Sequence, residues 1–251
     1  MYNANIILGS QIQLPVVFIF TDEEYMINLR RSIIYLLHII FAILTSFTMS
    51  LSSKQPIYNL RRYQPSDKQG IKDLFTANIE EEWGIRYHDG KYIDNAQRYI
   101  DSVVNDKDSD LNNIETTYFV NGGYFYVLTC SFTSDSYEEG ECEVVGTCGL
   151  QRISDTEAEL RRVCIAKDHR SKGWGSKMVS LLMDRVKTHD EMASVNKVVV
   201  STIGHSVDGI DFYKTKHGFV DTIDKETGQP KTGKARGTPI NEVFMECKID
   251  R

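Results

Sequence analysis

The chain lacks an excess of positive charge. Its 251 residues carry 29 Lys and Arg against 35 Asp and Glu, a net charge of -6. No basic stripe with interleaved aromatics appears either, and nucleic-acid affinity rests largely on neutralising phosphates, so a nucleic-acid partner is not expected. Paired cysteines are missing as well. Cys130, Cys142, Cys148, Cys164 and Cys247 form an odd set without the C-x-x-C spacing of zinc or redox motifs. A reduced compartment is the simplest reading, and no metal is expected. Asp106, Asp108 and Asp110 alternate like the start of a calcium loop, but Leu111 stands at the sixth position and Thr117 at the twelfth, where Gly and Glu are required. The segment reads instead as a linker and a short helix with Asp110 as N-cap, Leu111, Ile114 and Tyr118 inward, and Asn121-Gly122-Gly123 as its stop.

Long apolar runs are confined to the first 51 residues. Ile6 to Phe20 is broken by Gln11, Gln13 and Pro15 and is too short to span a bilayer. Residues 32–51 hold no charge, and eleven of them are Ile, Leu or Phe, which makes a candidate membrane span. A cleavable signal peptide fits less well, because Asp22, Glu23 and Glu24 precede the run. Two readings of this leader, residues 1–56, stand side by side: a membrane anchor holding the following domain on the cytoplasmic side, or an untranslated leader with a start at Met49.

The periodic part is 57–251. Asn59 to Tyr63 reads as a strand that Pro65 ends; Ser66 and Gln69 then form a capping box for a helix with Ile71, Leu74, Phe75 and Ile79 on one face. A second helix runs from Asp94 to Val104 with Ala96, Ile100, Val103 and Val104 inward. The connection before it holds Trp83, Tyr87, His88 and Tyr92, which either face a ligand or complete the core. Tyr124–Cys130 and Cys142–Ile153 form an antiparallel pair, and Ala158–Ile165 extends it. Val179, Leu182, Met183 and Val186 mark a long helix, and Lys197–Ile203 a β-branched strand buried on both faces. Strand, helix, strand at this spacing implies a parallel crossover, hence α+β or α/β packing. A helix from Ser206 to about His217 and strands at 219–223 and 240–249 complete the chain. The basic loop between those strands, with Lys225, Lys231, Lys234 and Arg236, either steers an acidic ligand or forms a solvated hairpin.

The organising stretch is Arg170-Ser171-Lys172-Gly173-Trp174-Gly175-Ser176, between the strand at 159–165 and the long helix. Glycine permits positive φ and close backbone approach, while unsatisfied N–H groups at a helix start attract anions, so a phosphate-bearing ligand is expected. Arg-x-x-Gly-x-Gly in this setting resembles the acetyl-CoA motif of the GNAT superfamily of N-acetyltransferases. The resemblance extends to Val144–Leu150 and to Phe212-Tyr213 with Gly218-Phe219, and covers about residues 57 to 249. It implies a mixed, mostly antiparallel sheet with helices on both faces, acetyl-CoA as co-substrate, and an amine acceptor, small molecule or protein.

It also implies the site. The pyrophosphate lies on backbone amides from Ser171 to Ser176, with Arg170 starting the loop, and the pantetheine arm pairs with Val163, Cys164 and Ile165. Glu159, eleven residues before Arg170, is the candidate base, its alternative role being a partner for Arg161 or Arg162. Tyr213 resembles the family's general acid. Four residues separate it from Gly218 where the common pattern has three, a difference worth about 100° of rotation on an α-helix. Ser206 and Gly209 stand where the family often has Asn and Ala. A non-catalytic acyl-CoA binder or scaffold on the same fold is the competing expectation. A dinucleotide site is more distant, since Met178 replaces the third glycine of G-x-G-x-x-G.

Overall fold

Alternation of period two and repeats of period 3.6 sort the chain into strands and helices. The computed structural model describes residues 2–7, 13–18, 29, 33–34, 36–37, 40, 55–86, 93–132, 142–204, 206–236 and 238–250, with 2–7, 13–18, 83–86 and 93 described in backbone only. Two compact units result, residues 1–54 and 55–251.

In the first unit, β1 (Tyr2–Ile7) pairs antiparallel with β2 (Gln13–Phe18), Tyr2 opposite Phe18. Among the described residues no helix is long and apolar enough to cross a membrane. The candidate span at 32–51 falls mostly outside them, as do Tyr87, His88 and Tyr92.

The second unit opens with β3 (Pro56–Arg62), and Pro65 ends the extended run as expected. The cap differs. Gln64, not Ser66, caps a 3-10 turn at Pro65–Asp67, with Asp67 completing the capping box and also receiving Arg61 in two hydrogen bonds of 2.7 Å. Asp67 answers both the backbone N–H of Gln64 and the guanidinium, which Gln69 cannot do from the exposed side. The turn leads into α1 (Lys68–Arg86). Next come α2 (Ile93–Ile100), a π turn at Asp101–Asn105 and α3 (Ile114–Tyr118). The four predicted inward residues of the second helix are buried, as are Leu111, Ile114 and Tyr118. Asn113 rather than Asp110 occupies the N-cap of α3. Asp110 is drawn instead to a buried arginine.

The strands β4 (Tyr124–Phe132), β5 (Glu143–Arg152) and β6 (Glu157–Ile165) form an antiparallel meander, and α4 (Trp174–Thr188) carries the chain across to β7 (Lys197–Ile203). After α5 (Val207–Asp211) come β8 (Val220–Asp221), β9 (Thr232–Lys234) and β10 (Asn241–Lys248). Among the described residues these build an eight-stranded sheet of order β3-β4-β5-β6-β7-β10-β8, with β9 on β10. Only the β6–β7 pair within it is parallel.

Helices cover both faces, each over its own core. On one face Met178, Val179, Leu182, Met183 and Val186 of α4 pack against Leu150, Leu160, Val198 and Met245. On the other, Ile71 and Ile79 of α1 and Ala96 and Ile100 of α2 pack against Phe125 and Val127. β7 departs from expectation: Val198 and Val200 are buried, but Val199, Ser201 and Ile203 are only half so. Ser201 and Ile203 line the cleft described next.

Candidate active site

β6 and β7 pair only from Glu157 with Lys197 to Leu160 with Val200. Beyond that point they part, because β6 is bent by a bulge: its register against β5 shifts between Thr147 and Gly149, and Arg162 takes φ 55. A left-handed conformation costs a residue with a Cβ roughly 1–2 kcal/mol. The gap opens a cleft of about 1000 Å3, reaching from α1 and α2 to the start of α5.

The phosphate-type loop stands at one end. Ser171 has φ 60 and Gly173, the N-cap of α4, has φ 81 with no side-chain cap. The N–H groups of Trp174, Gly175 and Ser176 therefore begin the helix without intrahelical partners. A Cβ placed on Gly173 would meet nothing within 4 Å. This is a cradle open to an anion, with the helix dipole behind it. Arg170 does not point along it. Its Nε donates to the Ile165 carbonyl at 3.0 Å, and its Nη2 donates to Asn78 and, at 3.1 Å, to Glu81, tying the loop to β6 and α1. Lys172 Nζ donates to Asp168 O at 2.9 Å and to the Tyr58 hydroxyl at 3.0 Å, and that hydroxyl lies 2.9 Å from His169 Nδ1. Trp174 packs against Tyr58 with ring centroids 5.2 Å apart. Neither Tyr58 nor Asn78 carried a sequence signal, since both act from distant elements.

Val163, Cys164 and Ile165 line the middle of the cleft, on the part of β6 that β7 has left. Burial pushes the Cys164 thiol up to about 12, so it stays protonated.

Glu159 lies on the cleft floor, with Arg161 Nε 3.5 Å from its Oε2. Burial raises its carboxyl above the ordinary range, and the charges of Arg161 and Arg162 only partly offset this. Glu242 of β10 lines the same cleft and is raised in the same way, by burial first and with Glu159 adding to it, while Ser201 donates a hydrogen bond that holds it down. Lys234 and Arg236 of the basic loop also reach the rim. The loop is anchored: Arg236 pairs with Asp106 at 3.0 Å, Lys234 donates to Asn241 at 2.6 Å, and Ala235 is buried in the second core.

Tyr213 also lines the cleft, 7% exposed, its ring 5.7 Å from Phe219. The expected continuous helix breaks here. Phe212–Lys216 form a π turn, and the Phe219 N–H reaches back to the Tyr213 carbonyl at 3.2 Å. A π turn takes up one residue more than an α turn, which accounts for the extra residue before Gly218. Burial drives the phenol far above its ordinary value.

The structure thus brings Arg170 and Gly175 of the loop, the edge 163–165, Glu159 and Tyr213 around one cleft, together with Arg162, Glu242 and Asn78, which sequence reasoning did not assign; Ser171, Lys172, Gly173, Trp174 and Ser176 lie outside its lining, and Tyr58 supports the loop from behind. Among the described residues no group of His, Cys, Asp and Glu suited to a metal ion occurs.

Comparison with known proteins agrees with this geometry. No curated protein matches the chain at a significant level. Among solved structures, an acetyltransferase of the GNAT family from Staphylococcus aureus Mu50 is 18% identical, with a TM-score of 0.52 over 77% of this chain and 100% of its own. An acetyltransferase from Streptococcus agalactiae 2603 gives 18% identity and a TM-score of 0.51 over 76% of this chain and 98% of its own. PaiA N-acetyltransferase from Thermoplasma acidophilum, solved in complex with coenzyme A, is 15% identical with a TM-score of 0.51 over 77% and 99%. At these identities the likeness is one of fold. The family model described as acetyltransferase (GNAT) domain matches residues 122–221, which run from the end of α3 through the loop and α4 to β8. Residues 122–221 thus match the acetyltransferase (GNAT) domain model, on a sheet that has the fold of these neighbours.

Proposed function

We propose that the protein is an acetyl-CoA-dependent N-acetyltransferase that moves the acetyl group to a primary amine by direct transfer in a ternary complex. The carrying observation is the uncapped, glycine-started helix of α4 standing at the end of a strand edge that β7 has left unpaired. A diphosphate suits the first and an extended amide-bearing arm the second, and both features belong to one cleft. Ser171 to Ser176 would hold the pyrophosphate through backbone amides, and Val163 to Ile165 the pantetheine arm. The Thermoplasma neighbour, which binds coenzyme A, supports the same assignment.

Acetyl-CoA supplies a thioester whose carbonyl carbon is the electrophile. Glu159, raised by burial, takes the proton that an incoming ammonium must lose before it can attack. Tyr213, raised by burial, keeps its proton through the working range and acts as a hydrogen-bond donor beside Cys164. Cys164, a protonated thiol, offers no nucleophile for a covalent detour, which favours direct transfer. The test is a melting curve with acetyl-CoA followed by release of free thiol across a panel of amines. No rise in Tm at saturating acetyl-CoA would sink the proposal.

A second reading is favoured by the burial of Tyr213 in the core beside Cys148 and Cys164: an acyl-CoA-binding protein without turnover. It predicts the Tm rise without thiol release from any amine, and no effect of Glu159→Gln combined with Tyr213→Phe.

A further inference from the structure

We propose that Asp110 is a positioning residue for this site, acting through Arg162 to aim the Val163 N–H into the cleft. The proposal rests on the acetyl-transfer reading above.

Arg162 holds its left-handed conformation because its surroundings over-determine it. Its Nε and Nη2 donate to the two oxygens of Asp110 at 2.8 and 2.5 Å, a bidentate pair with side chains 11% and 6% exposed. The Phe75 ring lies 5.6 Å from the guanidinium carbon, and Tyr99 is a further hydrogen-bond partner. Asp110 is itself held by the Tyr118 hydroxyl, and Tyr118 lies so close over Gly149 that a Cβ there would come within 2.6 Å of the ring. The bend bearing Asp110 is closed by Asn112 Nδ2, which donates to Val104 O at 3.0 Å and Asp106 O at 2.8 Å.

The other end of Arg162 is fixed independently. Thr147 Oγ1 donates to its carbonyl at 2.7 Å, so that oxygen points toward β5. The peptide is trans, so the Val163 N–H on its far side points away from β5. On that side β7 has already parted, the last pair being Leu160 with Val200. The amide therefore faces the cleft. A preorganised donor aimed at a carbonyl oxygen that gains charge contributes about 10²–10³ in turnover. Asp110, fifty-two residues from Arg162, keeps that amide in place without touching substrate.

The test reads the carbonyl directly. Wild-type protein is loaded with acetyl-CoA labelled with 13C at the thioester carbonyl, and the infrared stretch is recorded. The bound band is expected at lower frequency than the free one. Asp110→Asn and Arg162→Lys should return it toward the free position and lower kcat about ten- to hundredfold, with the Kd for CoA unchanged. A merely structural role would not move the band. An unshifted wild-type band, or an Asp110→Asn protein with wild-type band and turnover, overturns the inference. Arg162→Lys, which keeps the charge but cannot make the bidentate pair with Asp110, serves alone if the Asp110 variant does not fold: the same loss supports the inference, and a wild-type band and kcat overturn it. Failure of wild-type protein to bind acetyl-CoA would overturn both this inference and the reading it rests on.

Discussion

Glu159 and Arg161 stand two positions apart on β6 and meet at 3.5 Å on the cleft floor, with side chains 23% and 32% exposed. The pair is too long to neutralise the carboxylate, whose burial still raises it above the ordinary value. Glu159→Gln is therefore expected to lower kcat about 10²–10⁴-fold while leaving acetyl-CoA affinity unchanged, as steady-state kinetics and a binding isotherm would show.

The same carboxylate should make stability depend on pH. A group whose folded value is raised contributes stability in full below its unfolded value, and that contribution is lost as pH rises through the folded one. Glu159→Gln should then raise Tm at neutral pH relative to wild type and give no gain below the ordinary carboxylate range. Melting curves at pH 3 and pH 7.5 would decide, and an equal shift at both would contradict the assignment.

Asp110 has the opposite sign. Burial raises it, but the Arg162 hydrogen bonds and charge outweigh burial and hold it at about 2, against an ordinary 3.8. Its contribution, about 2 kcal/mol by linkage, is present above the ordinary value and is lost as pH falls through the folded one. Asp110→Asn should move the acid unfolding midpoint upward, as circular dichroism would follow.

Two substitutions at Gly173 separate strain from obstruction. Ala adds a Cβ that meets no atom within 4 Å but must adopt φ 81, so it should lower stability by about 1 kcal/mol and weaken acetyl-CoA binding only modestly. Glu brings a carboxylate into the anion cradle and should abolish the Tm rise with acetyl-CoA. If both variants bind alike, the cradle is not the pyrophosphate site.

Cys142 is exposed, whereas Cys164 is held as a thiol by burial. Brief alkylation with iodoacetamide at neutral pH should label Cys142 and spare Cys164, as peptide mass mapping would show. Ready modification of Cys164 would reopen a covalent route.

What could be read beforehand was what local period carries. The α4 face, the antiparallel meander, the parallel crossover and the loop at 170–176 all follow from spacing within one segment and the next. The pairings across the fold did not. Asp110 looked like a cap because Asp, Asn and Ser share that chemistry, and nothing in its neighbourhood shows that a buried arginine on β6 outcompetes a helix end. Tyr58 and Asn78 join the loop only once β3 and α1 are docked beside it. The basic stretch 225–236 looked solvated because its charges are contiguous in sequence, although Ala235 between them is buried and Lys234 and Arg236 are paired.

The π turn at Phe212–Lys216 has a bearing on how the chain tolerates change in its own length. A surplus residue there is absorbed as a local widening, so the frame beyond it is not rotated: Val220 still meets Glu246 and Asp221 still meets Met245 across β8 and β10. Insertions and deletions are usually accommodated in loops. Here one wall of a cleft carries a built-in expansion joint, able to gain or shed a residue while the strands behind it keep their register.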